Sequence, residues 1–373
     1  MSHMNILIIN CILTTAEKGV IYRRKSIKDT MISNFAKGFI ANGHSVTIVA
    51  SEEFRPTEQE TYPYNIIFFK SRFPKIFKPH LIPWPIGLRK YLKENIGKFD
   101  MVVTSEVFAM ASLLAADICK EKLVIWQEMA FHQKLFFHLP AKIWHNVVVR
   151  FMMTKALVVP RSFRAREFIR QYAKNVSDEI VDHGANGDVL YPEEGSDNAF
   201  IVVSRLVPIK NLGSIVRKFA DLLKDDKYAD YKLNIIGDGD EANNLKHLAC
   251  ELGIEKSVQF YGFMRHADMA AMLRRAKAML IDTLGELNMV SIPESLISGT
   301  PVVSNMKTTT AEYIQQRGVG IARDEWEADD LKEIIENYDK YHKACLAVRD
   351  ELTNVGCAKK MVRLFNEWIA SKK

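Results

Sequence analysis

The chain has 373 residues, 48% of them hydrophobic and 26% charged, which is too long for one ordinary domain and too apolar for disorder. Its formal charge of +6 is too mild to imply nucleic-acid binding, and no stretch approaches the roughly 20 apolar residues of a membrane span or the pattern of a secretory leader. The cysteines (Cys11, Cys119, Cys250, Cys345 and Cys357) are scattered, odd in number and never spaced C-x-x-C, which argues against a disulfide framework or structural zinc and fits a reducing cytoplasm.

Short apolar runs alternate with helical patterns along the chain. Asn5–Asn10 (NILIIN) reads as a buried first strand. A helix is expected from Ser26 to Ala41, and Val46–Ala50 reads as the next strand after the Gly43–His44 turn. Further strands are expected at Ile66–Phe69, Met101–Thr104, Leu123–Trp126, Leu157–Val159 and Ile180–Asp182. Tyr191–Asn198 (YPEEGSDN) is polar and turn-rich and reads as a linker. The pattern then restarts, with strand Ala199–Val203, helix Leu212–Leu223, strand Lys232–Ile236, helix Glu241–Leu252, and strands Val258–Tyr261, Ala278–Ile281 and Pro301–Val303. Strands alternating with helices predict parallel sheets with crossover helices on both faces. The expected organisation is two doubly wound α/β domains, 1–192 and 199–356, each binding ligands at the carboxyl ends of its strands. Met361, Leu364, Phe365, Trp368 and Ile369 form an apolar stripe on a last helix at about 357–373 that needs a groove on one domain.

Charge divides unevenly at Pro192: 26 Lys+Arg face 17 Asp+Glu before it, and 25 face 28 after it. The densest basic stretch runs from Lys70 to Lys98, with Glu94 its only acid. Phe73, Phe77, Trp84 and Tyr91 are interleaved there, and Pro74, Pro79, Pro83 and Pro85 forbid a regular helix through its first half. Basic residues mixed with aromatics suit an anionic membrane surface or a lipid-phosphate substrate. A solvated loop leading into a surface helix accounts for the same residues.

Three constellations in the second half carry chemistry. Ser204–Lys210 (SRLVPIK) follows a strand and leads into a helix near Asn211. Arg205 and Lys210 at a helix start oppose the dipole unless an anion sits there, so a ligand phosphate would offset the cost; a plain surface role is the other reading. Gly237–Asp240 (GDGD) follows the next strand, where glycines permit close backbone approach or simply a tight turn. The third runs from Glu286 to Glu294 and on through SLISGTPVV. Ser291-x-x-Glu294 has the spacing of a capping box, with Pro293 in the first turn. Glu286 lies in the loop leaving the Ala278–Ile281 strand.

The succession SRLVPIKN, IIGDGDE, VQFYGF and the E-x7-E block ending ESLISGTPVV resembles the retaining GT-B glycosyltransferases of family 4 across nearly all of the second half. The first half resembles them more loosely, through NILII and GHSVTIVA. The resemblance implies two Rossmann-like domains facing a central cleft, an acceptor-binding domain first and a donor-binding domain second, with the last helix folded back onto the first. It implies that Arg205 and Lys210 hold the donor diphosphate, that Glu286 contacts the transferred sugar, and that Glu294 takes the ribose hydroxyls. Further donor contacts are implied at Gly237, at Phe263 near the nucleobase, and at Leu287, Asn288, Met289 and Val290. The implied chemistry is front-face transfer with retention, from a nucleoside-diphosphate sugar such as a UDP-sugar to a glycan or lipid-linked acceptor. No metal or other cofactor is expected, since fixed cations and helix N-termini meet the leaving charge. A role in surface-polysaccharide assembly follows, in the cytoplasm with peripheral membrane contact through the first domain.

The sequence also departs from the family pattern. Leu287–Asn288–Met289 replaces the glycines usual after the first glutamate, and Leu287 and Met289 tolerate left-handed geometry poorly. The glycine pair usual after the first strand is missing. Arg23–Arg24–Lys25 stands instead at the start of the expected Ser26–Ala41 helix, as a candidate anion site or a solvated basic face. Where the family often has a histidine, after the Leu123–Trp126 strand, this chain has Gln127–Glu128 with His132 one helical turn later. Glu128 is expected to position the acceptor hydroxyl or accept its proton; His132, beside Phe131 and Phe136, is a candidate for the same role or a structural residue. His183–Gly184 stands where the family has Asn-Gly and reads as a turn. A catalytically inactive nucleotide-sugar-binding subunit, and an epimerase or hydrolase on the same architecture, fit the same motifs. A dinucleotide oxidoreductase does not, because no G-x-G-x-x-G follows either first strand.

Overall fold

Apolar runs that are buried on both faces are what a parallel sheet covered by helices requires, and the computed structural model contains two such sheets. It describes residues 2–14, 16, 19–133, 136–285 and 289–372, with the backbone alone at 136. Contacts divide the chain into two units, Met1–Gly184 with Asn354–Lys373, and Ala185–Thr353.

The first unit is built from β1 (Asn5–Ile9), α1 (Met31–Ala41), β2 (Ser45–Ser51), β3 (Asn65–Phe69), α2 (Leu88–Asn95), β4 (Met101–Ser105), α3 (Met110–Cys119), β5 (Leu123–Gln127), α4 (Leu139–Ile143), β6 (Leu157–Pro160) and α5 (Phe163–Ile169). Its six strands are parallel, in the order β3-β2-β1-β4-β5-β6. The order reverses between β1 and β4, the switch point at which such sheets open a crevice. Ile6, Leu7, Ile8 and Ile9 of β1 are all buried, which is why that strand reads as continuously apolar rather than alternating.

Helix α1 begins at Met31, not at Ser26. Thr30 is its N-cap, accepting from the Ser33 N–H at 3.4 Å, and a capping threonine fixes the start better than the preceding basic run could. Ile180–Asp182 forms no strand; its single ladder-like bond, Val181 N–H to Pro160 O at 2.9 Å, does not extend. The last helix of the chain, Asn354–Ala370, lies along α1 in this unit. Met361, Val362, Leu364 and Phe365 are buried there, each worth up to about 1.5–3 kcal/mol. The approach is so close that a Cβ on Gly38 would lie 2.1 Å from the Asn354 carbonyl oxygen.

The second unit runs β7 (Ala199–Val203), α6 (Leu212–Leu222), β8 (Lys232–Ile236), α7 (Ala242–Glu251), β9 (Val258–Gly262), α8 (His266–Leu273), β10 (Ala278–Ile281), α9 (Ser291–Ile297), β11 (Val302–Asn305), α10 (Ala311–Arg317), β12 (Gly320–Arg323), α11 (Ala328–Glu336) and α12 (Tyr338–Leu352). Its order, β12-β11-β10-β7-β8-β9, reverses between β7 and β10. Strand β12 is absent from the sequence-based expectation because four residues that begin at Gly320, just after Gly318, give too short a pattern.

The segment expected to be a linker is fastened to the second unit. The Ala185 N–H bonds Leu352 O at 2.9 Å, and Arg349 holds the carbonyls of Gly187 and Leu190. Arg274 pairs with Glu193 at 2.9 Å and Arg275 with Asp197 at 2.6 Å. The division therefore falls at Gly184 rather than at Pro192, and at Thr353 rather than 356.

Candidate functional site

In the second unit, the loops that leave β7, β8 and β10 are stapled to one another by backbone. The Ser204 N–H bonds Ile236 O at 3.0 Å, the Leu206 N–H bonds Asp238 O at 2.8 Å, and the Glu241 N–H bonds Leu206 O at 3.0 Å. This contact requires glycine. A Cβ on Gly237 (φ 136°) would sit 1.8 Å from Ser204 O, and one on Gly239 (φ 154°) would sit 2.3 Å from Leu206 O. The GDGD motif is thus the surface against which the SRLVPIK loop is moulded, more than a turn.

Arg205 is exposed at the top of this loop, whereas Lys210 is 8% exposed, at the end of a short 3-10 turn (Pro208–Lys210). Asn211 adopts left-handed geometry (φ 50°) and hands the chain on to α6. The loop after β10 is tied to the same place. The Leu284 N–H and Thr283 Oγ1 both donate to Ile209 O, at 2.8 and 2.9 Å. Beneath it, buried Asp282 binds Lys218 at 3.0 Å and accepts from Asn305 Nδ2 at 2.7 Å, so the strand ends rest on a satisfied polar floor. Glu286, Leu287 and Asn288 lie outside the described residues. Met289 is buried, and Val290 is exposed and precedes α9.

Glu294 does not join a capping box. Val290 already has helical angles at the N-cap position, so the Ser291 side chain lies inside the helix and caps nothing. Glu294 instead accepts from His266 Nε2 at 2.9 Å, across from the start of α8. Phe263, after β9 and the positive-φ Gly262, is 85% exposed, an aromatic face open to a planar partner. Within the GDGD turn Asp238 and Asp240 form an Asp-x-Asp triplet. Asp238 accepts from the Gly239 N–H at 2.8 Å, and among the described residues no three His, Cys, Asp or Glu side chains gather to hold a metal ion.

In the first unit, carboxylates gather where the loops leave β4, β5 and β6. Glu128 accepts from Arg161 Nη1 at 2.8 Å, and His183 Nε2 lies 4.0 Å from its other oxygen. Arg161 is buried, stacked 3.7 Å over the Trp126 ring. His183 Nδ1 lies 2.8 Å from Asp182 Oδ1. Glu106, held in left-handed geometry (φ 65°), accepts from the backbone N–H groups of Glu128 at 2.7 Å and Met129 at 3.3 Å. Loss of water contact pushes the Glu106 carboxyl up to about 7; Arg161 opposes that rise and Glu128 adds to it. Two carboxyl groups, one titrating near neutrality, beside a buried guanidinium can orient a hydroxyl and take its proton.

The other candidates lie elsewhere. Gln127 is fully buried and structural, its amide spent on the Val107 N–H and the Met129 carbonyl. His132 sits among His145, Phe168 and Tyr172 and bonds the Tyr172 hydroxyl at 3.1 Å. Desolvation, and then the charges of Lys142 and His138, lower its imidazole below the usual range. Arg23, Arg24 and Lys25 are exposed and stand upstream of α1, so no helix start reinforces them, and Lys25 lies 3.7 Å from Glu58. Glu106, Arg161, Asp182 and His266 are missing from the sequence-based candidates. No local spacing marks them: the first sheet gathers Glu106, Arg161 and Asp182 from distant positions, and in the second unit His266 meets Glu294 from 28 residues away.

Residues 191–345 match the family described as glycosyl transferases group 1. Alpha-monoglucosyldiacylglycerol synthase of Streptococcus pneumoniae is 31% identical over 30% of this chain and 25% of its own length, so the chain matches only a quarter of that relative. An uncharacterized glycosyltransferase of Methanocaldococcus jannaschii is 26% identical over 77% of this chain and 78% of its own. Among solved structures, Anabaena HepE in complex with UDP superposes with a TM-score of 0.69 over 98% of this chain and all of its own, at 14% identity, a likeness of fold. Two switch-point sheets give the chain the GT-B fold of these solved structures, and its match to the glycosyl transferases of group 1 lies within the second unit, over residues 191–345.

Proposed function

We propose that the protein is a retaining, metal-independent glycosyltransferase that moves a sugar from a nucleoside-diphosphate sugar to a glycan or lipid-linked acceptor in surface-polysaccharide assembly. The observation that carries this reading is the buried Lys210 on a loop stapled to both the GDGD turn and the β10 loop. A lysine held almost out of water at strand ends, with exposed Arg205 on the same loop, suits a diphosphate whose charge grows as the sugar leaves. UDP bound to the similar HepE fold supports a UDP-sugar as donor. On this reading Glu286 contacts the sugar, Glu294 with His266 faces the ribose, and Phe263 covers the base.

Glu128 would orient the acceptor hydroxyl, whose proton passes to a departing phosphate oxygen as the new glycosidic bond forms. Peripheral membrane contact of the first unit belongs to the same reading, supported by the basic and aromatic residues between Lys70 and Lys98. The test is thermal unfolding with a panel of nucleoside diphosphates and their sugars. A ligand at a hundred times its dissociation constant adds about 2.7 kcal/mol of stability. Lys210→Ala should abolish that shift and lower turnover by about a hundredfold or more. If no nucleotide stabilises the wild-type protein, the proposal fails.

A further inference from the structure

The first unit carries one helix whose exposed side contradicts its setting. Leu139–Ile143 continues without a break into a π-helical segment, Trp144–Met152. One side of this helix is anchored. Ala141, His145 and Val149 are buried, and Trp144 Nε1 donates to Val107 O at 2.8 Å. The opposite side presents Leu139, Ile143, Val147 and Phe151 at a spacing of four, each at least half exposed, with Phe151 at 68%. A four-residue step overshoots the α turn of about 3.6 residues and undershoots the wider i→i+5 turn, so the mixed winding keeps this stripe straight. Just before the helix, Phe137 is 97% exposed.

A second exposed row runs beside the apolar one: Lys142, Asn146 and Arg150. Neither cation forms an ion pair among the described residues, and no Asp or Glu occurs in the sequence between Glu128 and Glu167. Apolar side chains in one row and unneutralised cations in the next match the two layers of a bilayer surface, acyl boundary and anionic headgroup. A protein partner would have to supply a groove lined with acids. No helix among the described residues is long and apolar enough to cross a membrane, so the arrangement suits lying on one.

We infer that this helix docks the protein on an anionic lipid surface, with Phe137 and the Leu139–Phe151 stripe entering the acyl boundary and Lys142 and Arg150 meeting the headgroups. The inference deepens the membrane part of the function proposed above and rests on that part alone, since docking needs no sugar transfer. Its test is co-sedimentation of the full chain with vesicles of equal parts phosphatidylglycerol and phosphatidylcholine, against phosphatidylcholine alone. Wild type should pellet with the anionic vesicles, less so as salt is added. Phe137→Ser with Phe151→Ser should weaken partitioning by about tenfold or more, and Lys142→Glu with Arg150→Glu by a similar factor. Circular dichroism should not change, because the altered side chains are exposed and the Arg150 Nη2 hydrogen bond to Gln171 O at 2.9 Å, lost in Arg150→Glu, lies at the surface. Wild type left in the supernatant, serine variants that pellet as before, or a wild-type dimer dissociated by those variants in sedimentation velocity would each overturn it. Nucleotide binding, read separately, stays as it is in every case.

Discussion

In the second unit the strand ends present backbone: glycines at 237 and 239 let two loops touch, and a buried lysine and an exposed arginine supply the charge. In the first unit the strand ends present side chains: two glutamates, a buried arginine and an Asp–His pair. Net charge runs opposite to this local picture. The first unit, with its returning helix, holds 31 Lys+Arg against 17 Asp+Glu, and the second holds 20 against 28. The acidic unit carries the Arg205–Lys210 loop proposed to hold an anion, and the basic unit carries the carboxylate cluster. Bulk charge therefore does not follow the few charged groups placed at the strand ends.

Three substitutions can break or sharpen that contrast. The largest effect is expected from Gly237→Ala, which puts a Cβ into the Ser204 carbonyl at a positive φ. It should cost at least about 3 kcal/mol of stability in denaturant unfolding, and an ordinary, fully stable variant would mean that the loops are not moulded on each other. Next, Glu128→Gln should lower turnover by about a hundredfold while leaving stabilisation by nucleotides intact. Equal loss of both would erase the distinction between the two sites. The smallest effect is expected from Glu106→Gln. A carboxyl raised from its ordinary 4.5 to about 7 takes up protons in the folded state over that interval, so stability falls as pH rises through it. Glutamine stands in for the protonated form and should flatten this fall, a difference on the order of 2 kcal/mol above pH 7 that unfolding at pH 5 and pH 8 would measure. Parallel curves for the two proteins would show that Glu106 ionises as an exposed acid does.

Much of the architecture was legible because buried parallel strands are written as unbroken apolar runs, and NILII, AFIVV and LVIWQ all announce themselves. The Ser204–Lys210 loop was legible because its residues are contiguous. The carboxylate cluster was only half so: Glu128 follows a strand the pattern places, but Glu106 and Arg161 come from neighbouring strands far away in sequence, and only the order β4-β5-β6 makes them neighbours. Ser291 misled because capping-box spacing does not reveal where a helix begins; Val290, already helical, moved the start by one residue. Arg23–Lys25 misled in the same way, and Thr30 was the true boundary signal.

The return of the last helix has a consequence for how the protein is made. The second unit is continuous from Ala185 to Thr353 and can close its sheet as soon as it leaves the ribosome. The first unit, although synthesised earlier, must wait with the apolar side of α1 uncovered until residues 354–370 emerge. A nascent chain stalled before Asn354 would therefore hold a finished second unit and an unfinished first, leaving the face of α1 around Gly38 open to chaperones or to aggregation. Order of synthesis and order of completion run in opposite directions.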